Sequence, residues 1–305
     1  MSDNTKIEWC DATFNPWMGC TKISPGCDNC YAAVLGRRFG VKWGAGAPRF
    51  EFDDKHWDLP RAWNRRAERK GRTMRVFCAS MADVFDADVP QAWRDRLFAL
   101  IRETPHLTWL LLTKRIGNVE RMLPADWGDG YANVQLGATI VNQAEADRDV
   151  IKLLRTRARV RFVSIEPMLG PVRLWLLGAY DYAEHSIGAE VYALSGLRAI
   201  PDCDWKSTKL DWVICGGESG HGARPMHPDW VRSLRDQCAH EGTPFLFKQW
   251  GEWLPGKSIV SHIPVHASTV VHDGARGYAT CWKVGKHAAG RLLDGVEHNA
   301  YPVTP

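Results

Sequence analysis

The sequence predicts an α/β protein built on a TIM-like β/α barrel, partial or complete, with a rim insertion and a C-terminal appendage. Three observations lead there. Short apolar runs rich in branched and aromatic residues recur seven times along the chain. Amphipathic helical stretches separate most of them. Polar or glycine residues follow strand after strand, as they do on the functional rim of such a barrel. Strands that alternate with helices pair in parallel through crossovers. Seven or eight such strands fit a closed or nearly closed barrel better than a short open sheet.

The strand signals fall at residues 7–14, 75–79, 108–113, 134–138, 160–165, 211–215 and 244–247. Residues 90–103 read as a helix with Trp93, Leu97, Leu100 and Ile101 on one face. Residues 143–156 and 228–241 read the same way, the latter with Asp229 as its cap. The stretch 174–210 shows neither period and reads as an insertion on the rim. Residues 256–305 are rich in Gly and His, with short strand-like pieces, and are too few to hold a core alone. The domain reading is therefore a barrel over 1–255, with an insertion at about 174–210, and an appendage over 256–305 packed on it.

Composition narrows the class. Of 305 residues, 45% are hydrophobic and 24% charged, which excludes disordered and fibrous proteins. The net charge of +4 permits a nucleic-acid partner without arguing for one. No apolar run approaches the roughly 20 residues that span a bilayer, and residues 1–8 carry no apolar signal core. The expectation is a cytoplasmic protein with no membrane partner. Nine Cys without a secretion signal point to metal or cluster ligation rather than disulfides.

The sharpest feature is Gly19-Cys20-Thr-Lys-Ile-Ser-Pro25-Gly26-Cys27-Asp-Asn-Cys30-Tyr31. The two-residue gap between Cys27 and Cys30 lets one loop wrap a metal or an iron–sulfur cube. Pro25 and Gly26 supply a turn that brings Cys20 back to them. Three thiolates hold a [4Fe–4S] cluster and leave one iron without a protein ligand. Two other readings stay open: Cys10 as a fourth ligand closing a structural zinc site, or the cysteines as small buried hydrophobes. Cys78, Cys203, Cys215, Cys238 and Cys281 are isolated and read as packing residues.

The strand ends carry the remaining candidates. Asp83, Glu166 and Glu218 are acids at three of them; each, Glu218 included, suits a sugar hydroxyl or amino group of a nucleoside-like cofactor, or, with Lys248, general acid or base work. Ion pairs with Lys114, Arg115 or Arg224 are the structural alternative. Thr139 and Asn142 suit hydrogen bonds to a ribose, or helix capping. Gly216 and Gly217 let backbone approach a cofactor, or make a plain turn. Lys114, Arg115, Arg224 and Lys248 suit an anionic substrate. Gln249 and Trp250 offer a base-edge partner and a stacking face, although Trp250 is equally suited to core packing. Basic runs at 61–75 and 148–161 fit phosphate contacts or solvated helix faces. The His residues lack metal spacing.

A three-Cys loop after the first strand of a β/α barrel, with an aromatic residue directly behind the last Cys, resembles the radical S-adenosylmethionine superfamily. The first Cys gap is wider here. The superfamily's Gly-Gly-Glu, which holds the methionine amino group, lies near the second strand, whereas Gly216-Gly217-Glu218 follows the sixth. The chain is also similar, almost end to end, to the phage gene product 37/68 family. The matching pieces are Phe14-Asn-Pro-Trp17, the three-Cys loop with Tyr31, Ser80-Met-Ala-Asp-Val-Phe85, Leu112-Thr-Lys-Arg115, Leu136-Gly137, Ser164-Ile-Glu-Pro167 with Leu169-Gly-Pro171, Gly216-Gly-Glu-Ser-Gly220 with Ala223-Arg-Pro225, Phe247-Lys-Gln-Trp-Gly251 and Gly290-Arg-Leu-Leu-Asp-Gly295. Val141 stands where that family has an acid, and His298 where it has Trp. The resemblance implies a barrel and a cluster on Cys20, Cys27 and Cys30. It implies no reaction; the resemblance to the radical superfamily implies an enzyme that cleaves S-adenosylmethionine and draws on an electron donor, and phage context with the rim cations leads to the expectation of a nucleotide or nucleic-acid substrate. A zinc-stabilised nucleic-acid-binding protein and a non-radical [4Fe–4S] hydrolase or lyase are the rival expectations.

Overall fold

A computed structural model describes residues 5–174, 191–196, 208–256, 263–273 and 277–303. The elements run β1 (Ala12–Thr13), β2 (Trp17–Met18), α1 (Tyr31–Arg38), β3 (Phe50–Glu51), α2 (Asp54–Trp57), α3 (Leu59–Arg69), β4 (Met74–Cys78), α4 (Gln91–Glu103), β5 (Leu107–Thr113), α5 (Ile116–Met122), β6 (Val134–Thr139), α6 (Gln143–Arg155), β7 (Val160–Ile165), β8 (Trp212–Gly216), α7 (Pro228–His240), β9 (Phe245–Gln249), β10 (Trp253–Pro255), β11 (Ala267–His272), β12 (Tyr278–Lys283) and α8 (Lys286–Ala289). All seven expected strands are present. The expected insertion at 174–210 lies mostly outside the described residues.

Strands β1, β4, β5, β6, β7, β8 and β9 form one sheet in that order. The pairings β1–β4, β4–β5, β5–β6, β7–β8 and β8–β9 are parallel. Strand order follows chain order, so each crossover moves to the next position, as in a β/α barrel. Because β1 and β9 are not neighbours, the arrangement is the partial form of the expected class.

The chain packs as two compact units. One holds the described residues up to Ala138 together with Thr156–Arg161; the other holds Thr139–Arg155 and the described residues of Phe162–Val303. In the first, β5 is almost wholly buried, which is why its sequence is a continuous apolar run rather than an alternation. Phe14 centres an aromatic core. It stacks on His56 at 5.2 Å, and Trp57, Trp63 and Trp109 stand edge-on to it. Trp9, Trp17, Trp57, Trp109 and Trp212 are among the largest fully buried side chains, so much of the unusual Trp content is core.

In the second unit, β8 is buried throughout. Trp212 packs against Phe162 and Tyr301. The strand-like pieces of the tail form a separate antiparallel sheet in the order β10, β12, β11. The cap of α7 differs from expectation. Pro228 occupies the first helical turn, so the cap is His227, whose Nδ1 accepts the Asp229 N–H at 3.2 Å. A proline fits that first turn because its missing N–H would have no partner there.

Candidate functional site

The loop that carries the cysteines leaves β2 through Gly19, at φ 110°. The Gly19 N–H bonds to the Met81 carbonyl at 3.1 Å, beyond the end of β4. A Cβ on Gly19 would lie 3.0 Å from Arg49 Cδ, so both space and backbone angle favour glycine. Further on, Ser24 caps a single 3₁₀ turn at Pro25–Cys27 through its hydroxyl, which accepts from Gly26 N–H at 3.1 Å. Cys30 is the N-cap of α1. The Tyr31 hydroxyl donates to the Ser80 carbonyl at 2.9 Å. Asn15 joins the same strand ends, accepting from Met81 N–H at 2.7 Å and donating to Ser80 Oγ at 3.0 Å.

Cys20, Cys27 and Cys30 are free thiols; Cys27 is buried and the others half-buried. They share a loop but are not gathered into a ligand shell: among the described residues no group of three or more His, Cys, Asp or Glu stands ready to hold a metal ion. The donor chemistry nevertheless fits a cluster. Three thiols with a two-residue gap between Cys27 and Cys30 are the ligand type such a cluster takes. Arg115 Nη1 donates to Cys20 Sγ at 3.3 Å. Burial first, and then Asp83, push the Cys20 thiol up from 9.0 to about 12, with Arg115 acting the other way. Without a metal, Cys20 is therefore protonated, and ligation would release its proton. Cys10 does not belong to this group. It precedes Asp11, which pairs with Arg75 at the start of β4. Gly19 and Cys20 lie past the opposite end of the same strands.

Two buried arginines bind the Cys20 arm. Arg115 Nη2 donates to the Thr21 carbonyl at 2.6 Å, and Nη1 reaches Asp83 Oδ2 at 3.1 Å. Arg49, whose side chain is 0% exposed, donates to Thr21 Oγ1 at 2.9 Å and pairs with Asp86 at 2.6 Å and Asp88 at 2.9 Å. Asp83 also accepts from Thr113 Oγ1 at 2.7 Å, Lys114 N–H at 3.1 Å and Phe85 N–H at 3.0 Å. The carboxylate is thus filled by its own surroundings. Arg115 is part of the cysteine loop's support rather than an open cation. Lys114 is half-buried and makes no ion pair among the described residues.

In the second unit, three consecutive strand ends meet at one place. Glu166 follows β7 and Lys248 sits near the end of β9; their ion pair is 2.6 Å long, with side chains 20% and 14% exposed. Gly216 ends β8 between them. A Cβ there would lie 3.4 Å from Lys248 Cβ and 3.5 Å from Glu166 Cγ. Gln249 is buried: its Nε2 donates to Ser219 Oγ at 2.9 Å, and its Oε1 has no partner. Glu218 is held by Arg224 through three bonds of 2.6–2.8 Å, two from the guanidinium and one from the backbone N–H. Trp250 is packed in the core against Phe247, with Nε1 donating to the Leu292 carbonyl. Asn142 Oδ1 accepts from Glu145 N–H at 3.0 Å, and Glu145 returns a bond to Val141 N–H, so Asn142 caps α6. Thr139 is buried at the end of β6. Gly217 faces the backbone of Trp250, not an open cleft.

Asp83, Lys114 and Arg115 thus cluster around the Cys20 arm in the first unit. Glu166, Gly216 and Lys248 cluster in the second, with Glu218 and Arg224 paired to each other. Sequence reasoning missed Arg49 and Asp86, whose partners lie 37 residues apart and leave no local signal. Asn15 was accessible through the Phe14-Asn-Pro-Trp17 motif, but its bonds to Ser80 and Met81 were not.

These features define a parallel α/β protein with a cysteine loop at its strand ends. The family described as "Protein of unknown function (DUF5131)" matches residues 4–302, and the chain belongs to that family. No curated protein matches. A solved structure of a spore photoproduct lyase mutant, with bound AdoMet and dinucleoside spore photoproduct, is similar at 10% identity and a TM-score of 0.41. That match covers 89% of this chain and 68% of the other. Likeness at this level carries no statement about chemistry. Among the described residues, no helix is long and apolar enough to cross a membrane.

Proposed function

We propose that the chain is a cytoplasmic iron–sulfur enzyme of the radical S-adenosylmethionine type, acting on a nucleotide or nucleic acid and served by an electron donor. One observation carries the reading: three free cysteines within eleven residues, on the loop after β2, with the sulfur of the first held by Arg115. Cys20, Cys27 and Cys30 would hold the [4Fe–4S] cluster and leave one iron for the cofactor. When bound, the cluster supplies the electron that cleaves S-adenosylmethionine.

The chain's own groups do the binding and positioning. The Lys248 ammonium suits a phosphate or carboxylate, and Glu166 suits an amino group or hydroxyl. Gln249 Oε1 offers a buried acceptor to an N–H donor. Gly216 keeps the space between Glu166 and Lys248 clear of a side chain.

The test is anaerobic purification followed by iron, sulfide and zinc analysis. Electron paramagnetic resonance of the reduced protein, with and without S-adenosylmethionine, completes it. The expected result is about four irons per chain and a spectrum altered by S-adenosylmethionine, both lost in Cys27→Ser. Zinc without iron overturns the proposal. Iron with an unaltered spectrum replaces it by non-radical cluster chemistry, with the open iron acting as a Lewis acid.

A further inference from the structure

We infer that Arg115 is a positioning residue for the Cys20 sulfur, with Arg49 as the other half of a clamp on the same arm; this rests on reading the three-cysteine loop as a cluster site. Cys27 and Cys30 have local scaffolds, a capped 3₁₀ turn and the N-terminus of α1. Six residues separate Cys20 from Cys27, and Cys20 lies in neither a helix nor a strand. Its place must be fixed by parts of the chain remote in sequence.

The structure supplies that fixing at the sulfur and carbonyl of Cys20 and at the carbonyl and hydroxyl of Thr21. The Arg115 fork spans Cys20 Sγ at 3.3 Å and the Thr21 carbonyl at 2.6 Å. Arg49 binds Thr21 Oγ1 at 2.9 Å, and also the carbonyls of Gly44 at 3.2 Å and Ala47 at 2.7 Å. Gly44 N–H returns to the Cys20 carbonyl at 3.0 Å. Asp83 and Asp86 hold the two guanidinium groups in turn. A planar five-donor fork can serve a sulfur, a carbonyl and a carboxylate together; a lysine ammonium has no such fixed geometry.

The bond to sulfur has an electronic consequence as well. Arg115 is only 8% exposed in its side chain, so its charge acts at short range with little solvent screening. A hydrogen bond from a cation to a ligating thiolate stabilises the more negative, reduced form of a cluster and raises its potential. The residue therefore has two measurable effects: retention of iron and the midpoint potential.

The experiment compares wild type, Arg115→Met and Arg115→Lys as full chains, reconstituted anaerobically. Circular dichroism of the apo proteins checks folding. The expected result for Arg115→Met is a wild-type apo spectrum, iron loss to a chelator accelerated at least severalfold, and a more negative midpoint potential for the iron that remains. Loss rate and potential both equal to wild type would overturn the inference. Should Arg115→Met fail to fold, Arg115→Lys decides: its charge is kept but its two-point grip is gone, so chelator loss must still accelerate, and an unchanged rate sinks the idea. A wild-type chain that takes up no iron refutes the cluster reading itself, a result distinct from either of these.

Discussion

Replacing Gly217 with Ala is expected to break the turn that follows β8. A Cβ at this position falls on the Trp250 carbonyl, 2.5 Å from its carbon and 3.2 Å from Gly251 N. The approach is reciprocal. Gly251, at φ 81°, has Glu218 C only 2.8 Å from where its own Cβ would stand. Two backbones thus pack with no room for a side chain, joined by Gly217 N–H to the Gln249 carbonyl at 2.9 Å and Glu252 N–H to the Glu218 carbonyl at 3.1 Å. Ordinary carbon contacts lie near 3.5 Å, so the segments must part by about 1 Å. Overpacking costs about 1–3 kcal/mol, and two weakened buried backbone bonds add about 1 kcal/mol each. The sum is about 3–5 kcal/mol, or a melting point lower by about 6–10 °C for a chain of this size. Gly216→Ala is the control. Its Cβ makes only ordinary contacts of 3.4 and 3.5 Å with Lys248 and Glu166, so its cost is below about 1 kcal/mol. Differential scanning calorimetry of both variants checks this. A Gly217→Ala melt within about 2 °C of wild type, or a Gly216→Ala variant that melts lower than Gly217→Ala, would refute the steric argument.

Two further perturbations test the electrostatics. Arg49→Met removes a fully buried cation and leaves Asp86, with a side chain only 4% exposed, short of a partner. The expected loss is about 3–5 kcal/mol in urea unfolding, and a loss below about 1 kcal/mol would contradict the buried-pair account. Asp294, held by Arg232 and Arg235, has its carboxyl lowered from 3.8 to about 2, the Arg232 bond being the largest cause. A depressed acid stabilises the fold above its unfolded value and loses that contribution as pH falls through the folded one. The wild type should therefore lose stability between about pH 4 and pH 2 relative to Asp294→Asn, by less than about 1 kcal/mol since the site is exposed; identical acid profiles would refute the pairing.

Much of the fold was legible because strands buried on both faces write themselves as unbroken apolar runs. Leu107–Thr113 shows this most clearly. The first strand was read too long, at 7–14, because the buried Trp9 and Cys10 belong to the core without belonging to the sheet. Helix α3 was hidden by its own charge. Only Pro60, Trp63 and Ala67 are buried, so the stretch looked like a basic run. Part of that run is now accounted for: Arg61 pairs with Asp58 and Glu103, and Arg75 with Asp11. Arg65, Arg69, Lys70 and Arg72 remain exposed. The high Trp count could not reveal its use, since a core indole and a stacking platform share one composition. Burial decides it for Trp250.

The site was legible in its residue types but not in their pairing, which is set by strand order rather than by spacing. Asp83 and Arg115 are 32 residues apart, and Glu166 and Lys248 are 82. From sequence, the three rim acids were equivalent candidates. In the fold they separate into two kinds. Asp83 accepts from a hydroxyl, two backbone N–H groups and a guanidinium, while both Glu218 oxygens are held by Arg224. A carboxylate so filled cannot take up a ligand unless several charge-assisted bonds are given up together, each worth about 1.5–3 kcal/mol. Glu166 differs: it pairs with the ammonium of Lys248, and both side chains reach solvent. A ligand that offers an anion to Lys248 and a donor to Glu166 can divide the pair without leaving either charge stranded. Of the four residues considered for acid–base work, Glu166 and Lys248 are therefore the two whose exchange of partners is compatible with the fold staying intact.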